Sequence, residues 1–335
     1  MNCQQTIERK HFGGSFRASS RQVMTGALAG GLLFLMSAMT PETVSAASAC
    51  ADTTKAAFNA CQHEVQDDFW VARGNCRNLS GVAVRKSCMK TANRDRNEAR
   101  DLCKAQRVAR GKVCKAIGPG RYDPQLDPSR FVNPAHIGTT VAPNPYLPLI
   151  PGKTWVYENA SDGETITVTV TTKTRVILGI TAVEVHDFVQ KGGVTIEDTD
   201  DWLAQDIDGN VWYLGEISRN YEDGRLVSLD GSWVAGMDGA KQGIVMQGTP
   251  VVGKSYRQEF FLGDAEDMGK VLDLAASETT PAASCTGDCL KTKDYTPLDP
   301  EPDAVEHKYY KPGVGFVLEI KPSTGERLEL KSVTP

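Results

Sequence analysis

The chain has 335 residues, of which 37 are Lys or Arg and 42 are Asp or Glu, so its formal net charge at pH 7 is −5. This acidic balance argues against a nucleic-acid partner, because binding to phosphates relies on an excess of basic side chains. The length leaves room for a small helical unit and one sizeable domain.

The first 49 residues have the pattern of an export signal. Four basic side chains within residues 9–21 precede an apolar run at residues 23–39, and small residues at 47–49 offer a cleavage site. We therefore predict cleavage near Ala49 and a periplasmic or secreted protein. A membrane anchor is the alternative interpretation. No other long apolar run follows, so the remainder is expected to be soluble.

Six cysteines come next, with gaps of 11, 15, 12, 15 and 11 residues. Gaps of 11 and 15 residues are close to whole helical turns, so the three cysteines of each half lie on one stripe of a helix. We predict an antiparallel helical hairpin over residues 50–117, with its turn at residues 75–81 and three nested disulfides: Cys50–Cys114, Cys61–Cys103 and Cys76–Cys88. Other connectivities and a metal-binding set of thiols are the alternatives.

Cys50 follows small residues, which is also a pattern for lipid attachment. Ten residues separate it from the apolar run, and the symmetrical spacing assigns it Cys114 as a disulfide partner. A lipid anchor at Cys50 is therefore not expected. Disulfides and export support each other, because disulfides persist in oxidising compartments.

Charge is divided unevenly along the chain. Residues 50–117 carry 14 basic and 7 acidic side chains, whereas residues 118–335 carry 19 basic and 33 acidic ones. Most of the positive charge lies on the second helix, from Arg85 to Lys115. This helix could bind an anionic envelope surface. It could equally be a solvated face, or be docked on the acidic part of the same chain.

A proline-rich linker at residues 118–152 is followed by a domain of strands at residues 153–335. Residues 164–172 alternate polar and apolar side chains with period two, and later segments continue this pattern. Asp-Gly and Gly-Gly pairs between them are typical hairpin turns. We predict an α+β protein, in which the stapled helical hairpin precedes an antiparallel β-meander closing into a barrel or curved half-barrel.

Three kinds of candidate site stand out in the β domain. Aromatic side chains on successive strands could line a ligand cavity or fill the core: Trp155, Tyr157, Trp202, Trp212, Tyr213 and Trp233. A second set could bind a divalent metal or act as a general acid and base, or could be ordinary strand residues: His186, Asp187, Glu306 and His307. The thiols of Cys285 and Cys289 are best explained by a disulfide that pins a loop, and redox chemistry is the alternative.

Three segments carry a resemblance to other proteins. They are NPYLPLIPGKTWVYE at residues 144–158, DIDGNVWYLGE at 206–216 and YYKPGVGFV at 309–317. Together they resemble a group of exported bacterial proteins of uncharacterised function. The resemblance implies a bacterial exported β domain and transfers no functional residues.

The sequence thus leads to one main hypothesis and two rivals. The main hypothesis is non-catalytic binding of a small or amphiphilic ligand, or of an envelope partner. The first rival is a metal-assisted or acid/base enzyme that uses histidine and carboxylate side chains of the β domain. The second is an envelope interaction protein that works through its basic helix. No motif for a particular cofactor is present.

Overall fold

The structure, a computed structural model, describes residues 49–334, and the predicted export signal lies outside the described residues. Two helices open the described part: α1 covers Ala49–Arg77 and α2 covers Val82–Ile117. Within residues 49–334, no helix is both long and apolar enough to cross a membrane.

The two helices form the predicted antiparallel hairpin. All three nested disulfides are present, with Cα–Cα distances of 5.8 Å for Cys50–Cys114, 5.9 Å for Cys61–Cys103 and 5.5 Å for Cys76–Cys88. The hairpin has a thin interior, because its hydrophobic cluster consists mainly of Phe69, Cys76 and Ala92. Cross-links are the usual solution for so thin a core. The sulfur of Cys50 is bonded to that of Cys114.

Fifteen strands make up the rest of the regular structure. They are β1 (Thr154–Asn159), β2 (Glu164–Ile177), β3 (Ile180–Lys191), β4 (Val194–Gln205), β5 (Val211–Glu222), β6 (Arg225–Ser228), β7 (Trp233–Val234), β8 (Lys241–Met246), β9 (Ser255–Arg257), β10 (Glu259–Phe260), β11 (Met268–Thr279), β12 (Ser284–Tyr295), β13 (Glu306–Lys311), β14 (Gly315–Ile320) and β15 (Arg327–Thr334). Short 3-10 turns lie at Pro128–Arg130, Pro134–His136 and Pro302–Ala304.

These strands form one antiparallel sheet that is nearly closed into a barrel. The order is β10-β8-β5-β4-β3-β2-β1-β15-β14-β13-β12-β11-β9, and β6 and β7 add to β5. The two edge strands, β9 and β10, are consecutive in the chain and only Gln258 separates them. One segment, Ser255–Phe260, therefore pairs with β11 at one end and with β8 at the other. This segment joins the two edges of the sheet and encloses an interior.

The joint between the edges is close-packed at Gly243 in β8. A Cβ atom at this position would lie 2.2 Å from the carbonyl oxygen of Gln258, a backbone atom that cannot swing away. Gly269 in β11 has a similar neighbour, because a Cβ there would lie 2.4 Å from the ring of Tyr256. Glycine is therefore needed where the joining segment crosses the gap.

The proline-rich linker is a strap that closes one end of the barrel. Its Ile137 and Leu149 are fully buried in the main hydrophobic cluster with residues of β2, β3, β4 and β5. Asn144 fixes the strap, because its amide donates to the carbonyls of Gly209 and Gln247 at 2.7 and 3.1 Å. The strap also covers an outer patch of the sheet, where its Phe131 packs near Trp202 and Leu214.

The hairpin is fastened to the barrel by a buried ion pair. Arg110 of α2 donates to both carboxylate oxygens of Glu266 at 2.7–3.0 Å, and both side chains are almost fully buried. The backbone amide of Gly263 donates to the same carboxylate at 2.9 Å. Nearby, Gln106 donates to the carbonyl of Leu298 at 2.8 Å. One part of the basic helix is thus docked on the acidic domain.

We expect replacement of Glu266 by alanine to lower the free energy of unfolding by about 3–5 kcal/mol, because Arg110 would remain buried without its partner. Chemical denaturation measures this loss. Replacing both Arg110 and Glu266 by methionine serves as the control, since it removes the pair without leaving a charge, and should cost much less. A loss below about 1 kcal/mol in the single variant would contradict the assignment.

The close packing at Gly243 leads to a second prediction. Gly243→Ala should destabilise the barrel by about 1–3 kcal/mol or more, because the new methyl group overlaps the backbone of Gln258. Gly120→Ala is the matched control, since nothing lies within 4 Å of a Cβ at that position. Thermal unfolding of the two variants tests the prediction, and equal melting temperatures would show that the joint is not tight.

Candidate functional site

Strand alternation separates an inward from an outward face of the barrel wall. Across neighbouring strands, Trp155, Val168, Asp187 and Thr199 are directly opposite one another, and so occupy one face. Trp155 belongs to the buried cluster inside the barrel, so this row points inward. The adjacent residues on each strand therefore point outward.

The inward face changes from apolar to charged along the barrel axis. Near the strap, the inward side chains are apolar and belong to the main hydrophobic cluster: Val170, Val183, Leu203, Val211 and Leu290. Farther from the strap, β3, β4 and β5 present carboxylates on the same face at Asp187, Glu197, Asp201 and Glu216, of which Asp201 and Glu216 are directly opposite each other. The interior is thus packed at one end and charged at the other.

The opposite wall adds more carboxylates around one lysine. Lys308 of β13 lies between Thr292 of β12 and Glu319 of β14, and Glu306 faces Asp294. The amine of Lys308 lies 3.1 Å from Glu306 and 3.7 Å from both Asp294 and Glu319. Three carboxylates therefore share a single ammonium group.

Two further acids lie where the edges meet. Asp267 is next to Gln258, and Glu259 accepts a hydrogen bond of 2.6 Å from the indole nitrogen of Trp233. We call the whole inward set the acidic lumen. It consists of Asp187, Glu197, Asp201, Glu216, Glu259, Asp267, Asp294, Glu306 and Glu319, together with Lys308.

Most of these side chains keep accessible surface although the barrel wall surrounds them. Asp187, Asp201, Glu216 and Lys308 are half-buried, and Asp267 is exposed, yet burial is the largest cause of the raised pKa of each of the four acids. Surface that is reachable by solvent and still enclosed by protein is the mark of an internal cavity.

A cavity of about 240 Å³ lies at the charged end of the barrel. It is lined by Asn159, Glu164, Ile166, Glu306, Lys308, Glu319, Lys321, Glu326 and Leu328. Several of these residues adjoin the turns that connect β1 to β2 and β14 to β15. The cavity therefore forms a mouth of the acidic lumen on the side away from the strap.

Crowding of carboxylates in this enclosed space favours their protonated forms. Burial, together with the neighbouring acids, raises the pKa of Asp201 to about 7, although a hydrogen bond from the Tyr213 hydroxyl opposes the shift. Burial and the charges of Asp201 and Glu259 raise the pKa of Glu216 well above its usual value. The lumen thus favours the protonated forms of these two acids more than water does.

The same effect operates at the joint and on the opposite wall. Burial raises the pKa of Asp267 to about 6 and that of Glu319 to about 7. Burial disfavours the charge on Lys308, but Glu306, Asp294 and Glu319 outweigh it and raise the pKa of the amine well above 10.5. Lys308 is therefore a fixed positive charge on one wall only.

Asp187 has the least complete hydrogen bonding among the acids of the lumen. Its Oδ1 atom is buried and has no hydrogen-bond partner. Burial raises the pKa of its carboxyl well above the usual range, and Asp201 and Glu197 add to the effect. A buried acceptor without a partner costs free energy, so a hydrogen-bond donor that reached this oxygen would be stabilising.

The predicted aromatic residues mostly serve the core. Trp155 and Tyr157 are 2% exposed, and both donate to backbone carbonyls, of Val314 at 2.8 Å and of Phe316 at 3.1 Å. Trp202 is buried under the guanidinium of Arg175, and Trp212 donates to Asp206 in a turn at 2.8 Å. Tyr213 and Trp233 are the two that bond to carboxylates of the acidic lumen.

The structure does not bring the predicted metal residues together. His186 and Asp187 are adjacent and therefore lie on opposite faces of β3, and Glu306 and His307 are divided in the same way on β13. The two strands are five positions apart in the sheet. The outward His186 contacts Asp198 at 3.1 Å, and Arg219 binds Asp198 and Asp200 at 3.3 and 2.8 Å. An arginine thus fills the place that a metal would need.

Cys285 and Cys289 form the predicted disulfide and join the two ends of a short stretch within β12. The residues that sequence reasoning missed are the inward acids. A signal for them exists, because Glu197 and Asp201 lie four apart in a strand and so share a face, as Glu306 and Lys308 do. Which face points inward became clear only from the closure of the sheet.

Comparisons of the chain with protein-family models, with curated proteins and with solved structures find no match.

The raised pKa values predict how stability depends on pH. A carboxyl whose pKa is higher in the folded than in the unfolded chain binds more protons when folded, so stability falls as pH rises from about 4 to about 7. We expect the melting temperature to decrease from pH 5 to pH 8. The slope approaches about 1.4 kcal/mol per pH unit for each proton retained.

Asp201→Asn should flatten this decrease, because it removes one of the raised groups. Glu184→Gln is the control, since Glu184 lies outside the barrel on β3 and pairs with Lys173 at 2.9 Å. Thermal unfolding across this pH range checks both variants. An increase in stability from pH 5 to pH 8 would contradict the protonated lumen.

Proposed function

We propose that the protein binds a small organic amine with two or more positive charges in the acidic lumen, without catalysis. The observation that supports this most directly is the unpaired oxygen of Asp187 within a set of nine acids, of which only Asp294, Glu306 and Glu319 lie within ion-pair distance of Lys308. A cationic ligand supplies both the missing hydrogen bonds and the missing charge.

Charge balance favours a cation over an anion or a neutral molecule. Burial raises the pKa of Asp201, Glu216 and Asp267, and the negative charges of neighbouring acids add to the effect. A bound ammonium group would lower their pKa values and replace their protons. Binding should therefore release protons near neutral pH.

The distribution of the acids favours an extended organic cation over a single metal ion. Within residues 49–334, the sets of three His, Cys, Asp or Glu ligand atoms close enough to share a metal lie elsewhere, at His186 with Asp198 and Asp200, and at Cys285 with Asp288 and Cys289. The acids of the lumen are spread over several strands. Separated charges on one flexible chain match such an arrangement better than one ion does.

An acid/base enzyme is the second candidate function. The pair of Asp201 and Tyr213 supports it, because a pKa of about 7 suits a group that exchanges protons at neutral pH. The predicted catalytic histidines give no support, since both His186 and His307 lie on the outward face.

We also propose that the protein works outside the cytoplasm, in a periplasmic or secreted location. The four disulfides support this, because such cross-links persist in oxidising compartments. The resemblance of three segments to exported bacterial proteins agrees with the same proposal.

Isothermal titration calorimetry at pH 8 and low salt tests the binding proposal. The probes are a linear triamine, a linear diamine, Mg²⁺, Ca²⁺ and an uncharged diol of the diamine's length. We expect the triamine to bind tightest and the diol not to bind. Asp187→Asn should weaken triamine binding about 10–100-fold, because it removes a charge-assisted hydrogen bond.

Glu184→Gln is the matched control, because it removes a carboxylate from the outer face of the same strand, and its affinity should equal that of the parent. Equal affinities of the Asp187 variant and the parent, or no binding of any amine, would overturn the proposal. Tighter binding of Mg²⁺ or Ca²⁺ than of both amines would overturn the choice of an organic cation.

A further inference from the structure

The free end of the helical hairpin has a feature that the acidic lumen does not explain. We define the hairpin tip as residues 77–90, which contain the turn between α1 and α2. The hairpin is fastened to the barrel at Gln106 and Arg110. At a rise of about 1.5 Å per residue, the turn lies roughly 40 Å along α2 from Arg110.

Apolar side chains at the tip are turned to solvent. Val82 is 75% exposed, Val84 is 54% exposed and Leu79 is 41% exposed. They lie within six residues of one another, at the end of the molecule that projects from the barrel. Exposed apolar groups that cluster in this way commonly mark an interaction surface.

Basic side chains surround this apolar group. Residues 69–94 contain six Lys or Arg and no Asp or Glu. Among the described residues, no carboxylate lies within ion-pair distance of Arg77, Arg85, Lys86 or Lys90. Arg85 instead donates to the carbonyl of Leu79 at 3.1 Å, which keeps its charge beside the apolar group.

A rigid frame holds both kinds of group in place. The disulfide Cys76–Cys88 closes the hairpin next to the turn, so the apolar side chains and the surrounding charges keep their relative positions. The acidic domain does not compete for these charges, because the docking contacts of the hairpin lie near its other end, at Arg110 and Glu266.

From these observations we infer that the hairpin tip docks on the surface of an anionic phospholipid bilayer. Leu79, Val82 and Val84 enter the layer between headgroups and acyl chains, and Arg77, Arg85, Lys86 and Lys90 contact the phosphates. Apolar area and basic charge together determine the strength of such interfacial binding. This inference is independent of any ligand in the acidic lumen.

Sedimentation with vesicles tests the inference on the full mature chain with its disulfides intact. One set of vesicles is phosphatidylcholine alone, and the other contains about a third phosphatidylglycerol. We expect binding to the anionic vesicles that weakens with added salt, and little binding to the neutral ones. Soluble glycerophosphoglycerol should not compete, since it lacks the apolar layer.

Two variants and their controls locate the contact. Replacing Arg85, Lys86 and Lys90 by Gln should weaken binding about 100-fold, at about fivefold for each charge, whereas Lys112→Gln with Lys115→Gln, near the barrel end of α2, should have little effect. Val82→Ser with Val84→Ser should weaken binding by at least about tenfold, whereas Val108→Ser, an equally exposed position, should not.

Circular dichroism confirms that each variant keeps its helices, and because no altered side chain is fully buried, the hairpin should fold normally. Equal binding to neutral and anionic vesicles would overturn the inference. So would equal losses in the tip variants and their controls, or competition by the soluble headgroup, which would indicate a site for free phosphate esters.

Discussion

The closure of the sheet by the segment Ser255–Phe260 is the constraint on which the rest of the structure depends. By pairing with β11 and then with β8, this short stretch removes both free edges of the sheet and gives the wall an inside. In an open sheet, the side chains of Asp187, Asp201 and Glu216 would be ordinary solvent-exposed strand residues. In the closed sheet, they face one another in an enclosed space, and their protonation depends on what that space contains.

The barrel interior contains both apolar packing, which stabilises the fold, and a cluster of charged side chains, which opposes it. The two lie at different ends of the barrel. Apolar side chains and the strap, with Ile137 and Leu149 at its centre, supply the buried area that stabilises the barrel. The charged half contributes repulsion, which protons on Asp201 and its neighbours relieve. A natural protein tolerates such a cluster most readily where function needs it, because functional sites concentrate perturbed ionisable groups.

Sequence patterns predicted the hairpin well because its signal is geometric. Cysteine gaps near whole helical turns indicate the helices and favour the nested pairing, and turn dipeptides such as Asp162-Gly163 mark the hairpins of the sheet. The acidic lumen was not predictable in the same way. Strand alternation shows that the side chains of His186 and Asp187 lie on opposite faces of β3, but it does not show which of them faces inward. That choice depends on contacts between residues far apart in sequence, such as Trp155 with Val314.

The nested arrangement of disulfides has a consequence for how the chain oxidises. In a chain that emerges from its amino end, Cys50 is the first of the six hairpin cysteines to appear, and its correct partner, Cys114, is the last of them. Premature pairing with Cys61 is the obvious error. Once α1 has formed, however, these two sulfurs are about 16 Å apart along the helix axis and cannot meet. Formation of α1 therefore prevents disulfides between its own cysteines. Each thiol can then pair only with a cysteine of the opposite helix.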